Sequence, residues 1–108
     1  MRHRVVVTDD ARRDLESIYD FIAETGSPAQ AGRIADSLLQ LTASLAEFPE
    51  RGSRPREIEM LGNLEFRQAM TKPWRVVYGI EDRDVVIYLI ADGRRDMRSL
   101  LAQRLLGA

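Results

Sequence analysis

The sequence predicts an α+β domain of order βααβββα. A helical hairpin packs on one face of a twisted, mainly antiparallel sheet, and a short C-terminal helix follows. Three observations predict it. Apolar residues recur at helical spacing through the first half, the period changes to two after a polar connector, and the connections between neighbouring elements are too short to separate them. Such an arrangement buries the apolar stripe of each helix against one face of the sheet, giving a two-layer fold.

The first element is the β-branched run RVVVT at residues 4–8. A helix is expected directly after it. Thr8 or Asp9 can accept from its free N–H groups, and Asp9, Asp10 and Asp14 suit the positive end of its dipole. Ala11, Leu15, Ile18, Tyr19 and Ile22 then share one face. In Thr25-Gly26-Ser27-Pro28, Gly26 suits a left-handed helix stop, Ser27 a cap and Pro28 a first turn. Two helices so closely joined form a hairpin. The second carries Ala31, Ile34, Leu38, Leu41, Leu45 and Phe48 and is expected to stop at Pro49 and Gly52.

Residues 50–63 are polar, broken by Pro55 and Gly62, and read as a connector. Two strands come next, with Leu64, Phe66 and Gln68 on alternate positions of one and Trp74, Val76, Tyr78 and Ile80 on the other. The turn Glu81-Asp82-Arg83-Asp84 leads into the apolar strand 85–91. A last helix over residues 96–106 presents Met97, Leu100, Leu101 and Leu105, with Gly107 as its stop.

Bulk composition excludes several classes. The chain has 108 residues, 44% apolar and 31% charged, so residues 1–108 read as one globular domain. It has no cysteine and one histidine, His3, so no thiolate or His-based metal centre is expected, and no cofactor. No apolar run approaches the roughly 20 residues of a membrane span, and the apolar N-terminal run is short for a signal peptide. No membrane partner and a cytoplasmic location are therefore expected. Charge is uneven: residues 1–50 hold five arginines against nine acids, and residues 51–108 hold eleven basic residues against eight acids. An anionic partner would be sought in the second half.

Candidate functional residues follow from that asymmetry. Arg67 and Arg75 occupy alternate positions among apolar neighbours and, across a tight turn, are expected on one face opposite Phe66 and Trp74. Arg94, Arg95 and Arg98 cluster where strand 85–91 stops. Guanidinium is permanently charged and binds phosphate or carboxylate in bidentate fashion, so these five residues are candidates for an anion patch. If the last helix began at Gly93, Arg94 and Arg95 would oppose its dipole; if Asp96 is the cap, they sit in a loop. Both readings are open from sequence. Phe21 lies about 100° from Ile22 on the first helix, and Leu39 is similarly displaced on the second. With the leucines of SLLAQRLL, including Leu101, Leu105 and Leu106, they form an apolar surplus of the kind that meets a partner. Proton-transfer groups are scarce. Glu57 and Glu59 are available as bases but lie in the connector, while Tyr78 and Tyr88 read as core.

The segments ARRDLESIYDFIAETGSP, LAEFPERGSRPRE, LEFRQAM, PWRVVYGI and VVIYLIADGRRD, taken in order, resemble the ParE/RelE superfamily of toxins from type II toxin–antitoxin systems. The ParE branch, the plasmid stabilisation proteins, is the nearer resemblance, and it covers nearly the whole chain. It implies a toxin that poisons DNA gyrase and is held silent, in a hetero-oligomer, by a ParD-like antitoxin. Its docking residues would include Phe21, Leu39, Arg94, Arg95, Arg98, Leu101 and Leu105. RelE-like members are mRNA endonucleases that act on the ribosome, and Arg67, Arg75 and Arg95 match the arginine positions of their catalytic pattern. The tyrosine of that pattern falls near Leu101 here. The endoribonuclease is therefore the alternative that the resemblance implies.

Overall fold

The computed structural model describes residues 2–59 and 65–107. Strand β1 (Arg4–Val7) leads into α1 (Asp9–Thr25) and α2 (Pro28–Ser44). A single helical turn, α3 (Arg56–Glu59), follows within the connector. Strands β2 (Phe66–Thr71), β3 (Trp74–Glu81) and β4 (Asp84–Asp92) precede α4 (Met97–Leu106). The sheet order is β1-β4-β3-β2, with β1 parallel to β4 and the other pairs antiparallel. Leu64 and Gly62 lie outside the described residues, as does the side chain of Glu59.

Capping residues set the helix starts. The Thr8 hydroxyl accepts from the Ala11 N–H at 3.2 Å and donates to the Ile87 carbonyl at 2.7 Å, tying the start of α1 to β4. Ser27 accepts from the Gln30 N–H at 3.1 Å, with Pro28 as the first residue of α2. Gly26 turns between the helices at φ −124°, ψ −102°, so the expected left-handed stop does not occur there. It occurs instead at Gly107, φ 69°, after α4.

Two expectations for the hairpin need correction. Helix α2 ends at Ser44, short of Phe48. The hydroxyls of Thr42 and Ser44 donate to the carbonyls three residues back, those of Leu39 and Leu41, at 2.9 and 2.6 Å. Hydroxyls so placed compete with the helical backbone. Leu45 stays fully buried, and Phe48 turns outward. Tyr19 lies at the margin of the α1 stripe and is exposed, whereas Ala11 and Ile22 are buried and Leu15 and Ile18 pack on the core.

The sheet has two differently covered faces. The hairpin covers one, where Leu38, Leu41 and Leu45 meet Val76, Tyr78, Val85, Ile87 and Ile90. Helix α4 covers part of the other, where Met97 and Leu101 meet Val77, Leu89 and Ala91, with Phe66, Leu100 and Leu105 alongside. Val77 pairs with Leu89 but Tyr78 pairs with Ile87, so Tyr88 is an extra residue. That bulge lets Ile87 face the hairpin and Leu89 face α4. Tyr88 is half-buried on the α4 side, edge-on to Phe66 with ring centroids 5.3 Å apart. Its hydroxyl donates to Glu81, and desolvation first, then Glu81, pushes the phenol up to about 12. Tyr78 is fully buried, as expected; its hydroxyl donates to the Pro49 carbonyl and accepts from the Gly52 N–H. A Cβ at Gly52 would stand 2.5 Å from that hydroxyl, which requires glycine.

Candidate functional site

Arg67 and Arg75 do not share a face. The two-residue turn Lys72–Pro73 pairs Thr71 with Trp74, which sets Arg67 opposite Tyr78 and Arg75 opposite Met70. Opposed residues point to the same side of a sheet. Arg67 is thus on the hairpin side and Arg75 on the α4 side, and by the same register Phe66 and Trp74 are on opposite faces. Both arginines are also engaged. Arg67 donates to the carbonyls of Gly52 and Glu50 at 2.8 and 3.2 Å and holds the connector against β2. Arg75 donates to both oxygens of Glu57 at 3.1 Å and to Gln68 at 3.3 Å. Glu57, a candidate base from sequence, is therefore the partner of a half-buried arginine. Gly93 passes so close that a Cβ there would stand 2.7 Å from Arg75 Nε.

The cluster after β4 divides as well. Asp96 is the cap of α4, accepting from the Ser99 N–H at 3.2 Å and the Ser99 hydroxyl at 2.7 Å. These bonds hold its carboxyl below the usual range. The helix begins at Met97, so Arg94 and Arg95 sit in the loop, clear of the dipole. Arg94 grips Asp92 through Nε and Nη2 at 3.0 and 2.6 Å, and its N–H donates to the same carboxylate at 2.9 Å. The Arg94 side chain and then its N–H depress Asp92 to about 2. Among the described residues, the exposed guanidiniums of Arg95 and Arg98 have no side-chain partner.

Arg95 opens onto a groove of about 490 Å³ lined by Asp14, Ser17, Ile18, Phe21, Trp74, Ala91, Asp92 and Arg95. The volume is within the range of ligand clefts. Phe21, 65% exposed, forms its outer wall. Leu39 is elsewhere. Leu15, Tyr19 and Ala35 line a separate depression, on the flank of α1 away from Phe21, and Leu39 follows Ala35 by one turn. Phe21 and Leu39 are both exposed but do not form one patch. Leu101, expected as a docking residue, has no accessible surface and forms part of the core beneath α4; Leu105 is half-buried beside it. Leu106 is the exposed leucine of that helix.

Sequence reasoning missed the residues at the inner end of the groove. Strand β1 pairs with β4 only as far as Ile87, leaving the outer edge of β4 open beyond it. Asp14 accepts there from the Ile90 N–H at 3.0 Å, and Arg104 donates to the Tyr88 carbonyl at 2.7 Å. The same two side chains form a bidentate ion pair at 2.7 and 2.9 Å. A lone acid at the margin of the α1 stripe was the available signal. Its partner, 90 residues away, left none.

Relatives agree with this architecture. The family described as the ParE toxin of the type II toxin–antitoxin system parDE matches residues 5–97. Toxin ParE3 of Caulobacter vibrioides is 29% identical over 101 residues, covering 94% of this chain and 97% of that protein. Among solved structures, the chromosomal ParDE toxin–antitoxin system of P. aeruginosa superposes with a TM-score of 0.72 at 19% identity, covering 84% of this chain and 96% of that one. The toxin–antitoxin complex RelBE2 of Mycobacterium tuberculosis gives 0.62 at 24% identity, over 85% and 99%. At such identities the structural matches establish the shared fold, and the sequence match establishes the lineage. The chain belongs to the ParE toxin family of type II toxin–antitoxin systems, within the ParE/RelE superfamily.

Proposed function

We propose that this toxin acts in the cytoplasm by binding DNA gyrase and blocking replication, and that a ParD-like antitoxin holds it silent in a hetero-oligomer. The observation that supports a binding mode of action is the dispersal of the arginines. An endoribonuclease needs a base, an acid and charge stabilisation converging on one phosphate. Here Arg67 and Arg75 point to opposite sides of the sheet, each held by its own acceptors, and Arg95 lies in a third place. The surface left for a partner consists of Phe21, Arg95 and Arg98, with Leu39 and Leu106 on separate flanks.

A supercoiling assay tests the target. Purified toxin should inhibit gyrase supercoiling of relaxed plasmid and arrest growth when expressed alone. Growth arrest with undisturbed supercoiling and with mRNA cut on the ribosome would transfer the activity to the endoribonuclease reading. An Arg67→Ala, Arg75→Ala or Arg95→Ala protein should then lose that cutting.

A further inference from the structure

The groove beside α1 has chemistry of its own. Strand β4 extends five residues past the last pair with β1, from Tyr88 to Asp92. Asp14 and Arg104 occupy the first part of that open edge. Ile90 donates its N–H outward to Asp14, so its carbonyl and the Asp92 N–H face outward by the alternation of an antiparallel ladder. Among the described residues neither has a hydrogen-bond partner. An unpaired strand edge is a template for another extended chain. The groove walls supply the rest: Ile18, Phe21 and Trp74 are apolar, and Arg95 stands at the rim. Both acids of the lining are already neutralised, Asp14 by Arg104 and Asp92 by Arg94, so the charge left uncompensated is that of Arg95.

We propose that this groove takes an extended peptide segment, added as a strand to the β4 edge at Ile90–Asp92. An apolar side chain of the segment would lie between Phe21 and Trp74 and a carboxylate on Arg95. The identification of that segment as part of the antitoxin rests on the proposed function; the site itself rests on the edge and its walls. The Asp14–Arg104 pair closes the inner end, so the added strand is short and its register is set by the groove.

Trp74 is the only tryptophan of the chain and lines the groove, so its emission reports occupancy. The probe is an acetylated, amidated hexapeptide of alternating leucine and glutamate. Three comparison peptides carry lysine for glutamate, alanine for leucine, or N-methyl groups on alternate backbone amides. The expected result is saturable quenching or shift of Trp74 emission, with slowed hydrogen exchange at Asp92. N-methylation should weaken binding roughly tenfold, the loss of about two hydrogen bonds. Arg95→Glu should reverse the preference toward the lysine peptide. Equal binding of the methylated peptide would overturn strand addition, and so would failure of every peptide to bind. A concentration-dependent Trp74 shift without peptide, accompanied by a dimer mass, would give the edge to a second copy of the chain and overturn the proposal. An antitoxin that neutralises toxicity while Asp92 exchange stays unchanged would overturn the site and leave the toxin reading intact. Peptide binding by a chain that harms no cell and inhibits no gyrase would do the reverse.

Discussion

Two arginine–aspartate pairs lie near opposite ends of α4, and they have different consequences. Arg104 reaches Asp14 across the open edge of β4 and satisfies the Tyr88 carbonyl on the way, while Asp14 takes the Ile90 N–H. Both side chains are about four-fifths buried, and the pair joins the second helix end of the chain to the first helix. Arg94 and Asp92 are two residues apart in a loop, with Arg94 78% exposed. The chemistry is the same in both. The difference is what would be left behind: removing Arg104 strands a half-buried carboxylate and a strand carbonyl, whereas removing Arg94 returns Asp92 to water. A short ion pair is therefore structural only where burial and backbone acceptors depend on it.

The largest expected effect tests the buried pair. Arg104→Met should destabilise the fold by about 3 kcal/mol, read as a lower urea midpoint at unchanged slope. Arg104→Met with Asp14→Leu removes both charges and should recover part of the loss. A double variant no better than the single one would mean that the backbone bonds, and not the stranded charge, carry the effect.

A smaller loss is expected from the loop side. Asp96→Ala removes the cap of α4 and should lower the urea midpoint, while Asp96→Ser restores most of it. A loss as large as that of Arg104→Met would make the two ends of α4 equivalent and undo the contrast.

The smallest effect belongs to Arg94→Ala, which should leave the urea midpoint at neutral pH unchanged within error. Its signature is in pH. Asp92 is depressed to about 2 by Arg94, below its ordinary unfolded value. Its contribution is therefore present above the unfolded pKa and is lost as pH falls through about 2. Carboxyl NMR titration of Arg94→Ala should show Asp92 moving up toward the ordinary carboxylate range. An unmoved Asp92 would mean that the Arg94 side chain is not the main cause of the shift.

Local signals made most elements legible. Thr8, Ser27-Pro28 and Asp96 mark helix starts through hydroxyl or carboxylate oxygens that reach N–H groups two or three residues on. Alternation in residues 66–71 and 74–81 marked two strands because a half-buried pleat demands it. The end of α2 was misread because the spacing of Phe48 extends the stripe, while the hydroxyls that tighten the last turn carry no periodic signal. The shared face of Arg67 and Arg75 was misread because facing depends on the register across Lys72–Pro73, which shifts by a single residue without altering either strand's pattern. Leu101 read as surplus because a short leucine-rich helix has more apolar residues than one stripe needs. Which of them is buried was settled by where β3 and β4 lie beneath α4.

The amino-acid sequence by itself determined the kind and order of the elements, the arginine-rich end of β4 and the absence of histidine or cysteine near it. These are properties of neighbours within a few residues, where caps, turns and periodicity act. Tertiary structure alone decided which arginines are free. Arg75 is held by Glu57, Arg67 by carbonyls of the connector and Arg104 by Asp14, in each case through contacts between residues far apart in the chain. Such pairings depend on the register of strands and the docking of helices, which fix distances that no local pattern encodes. What remains at the end of β4 is Arg95 beside an open edge and an apolar groove.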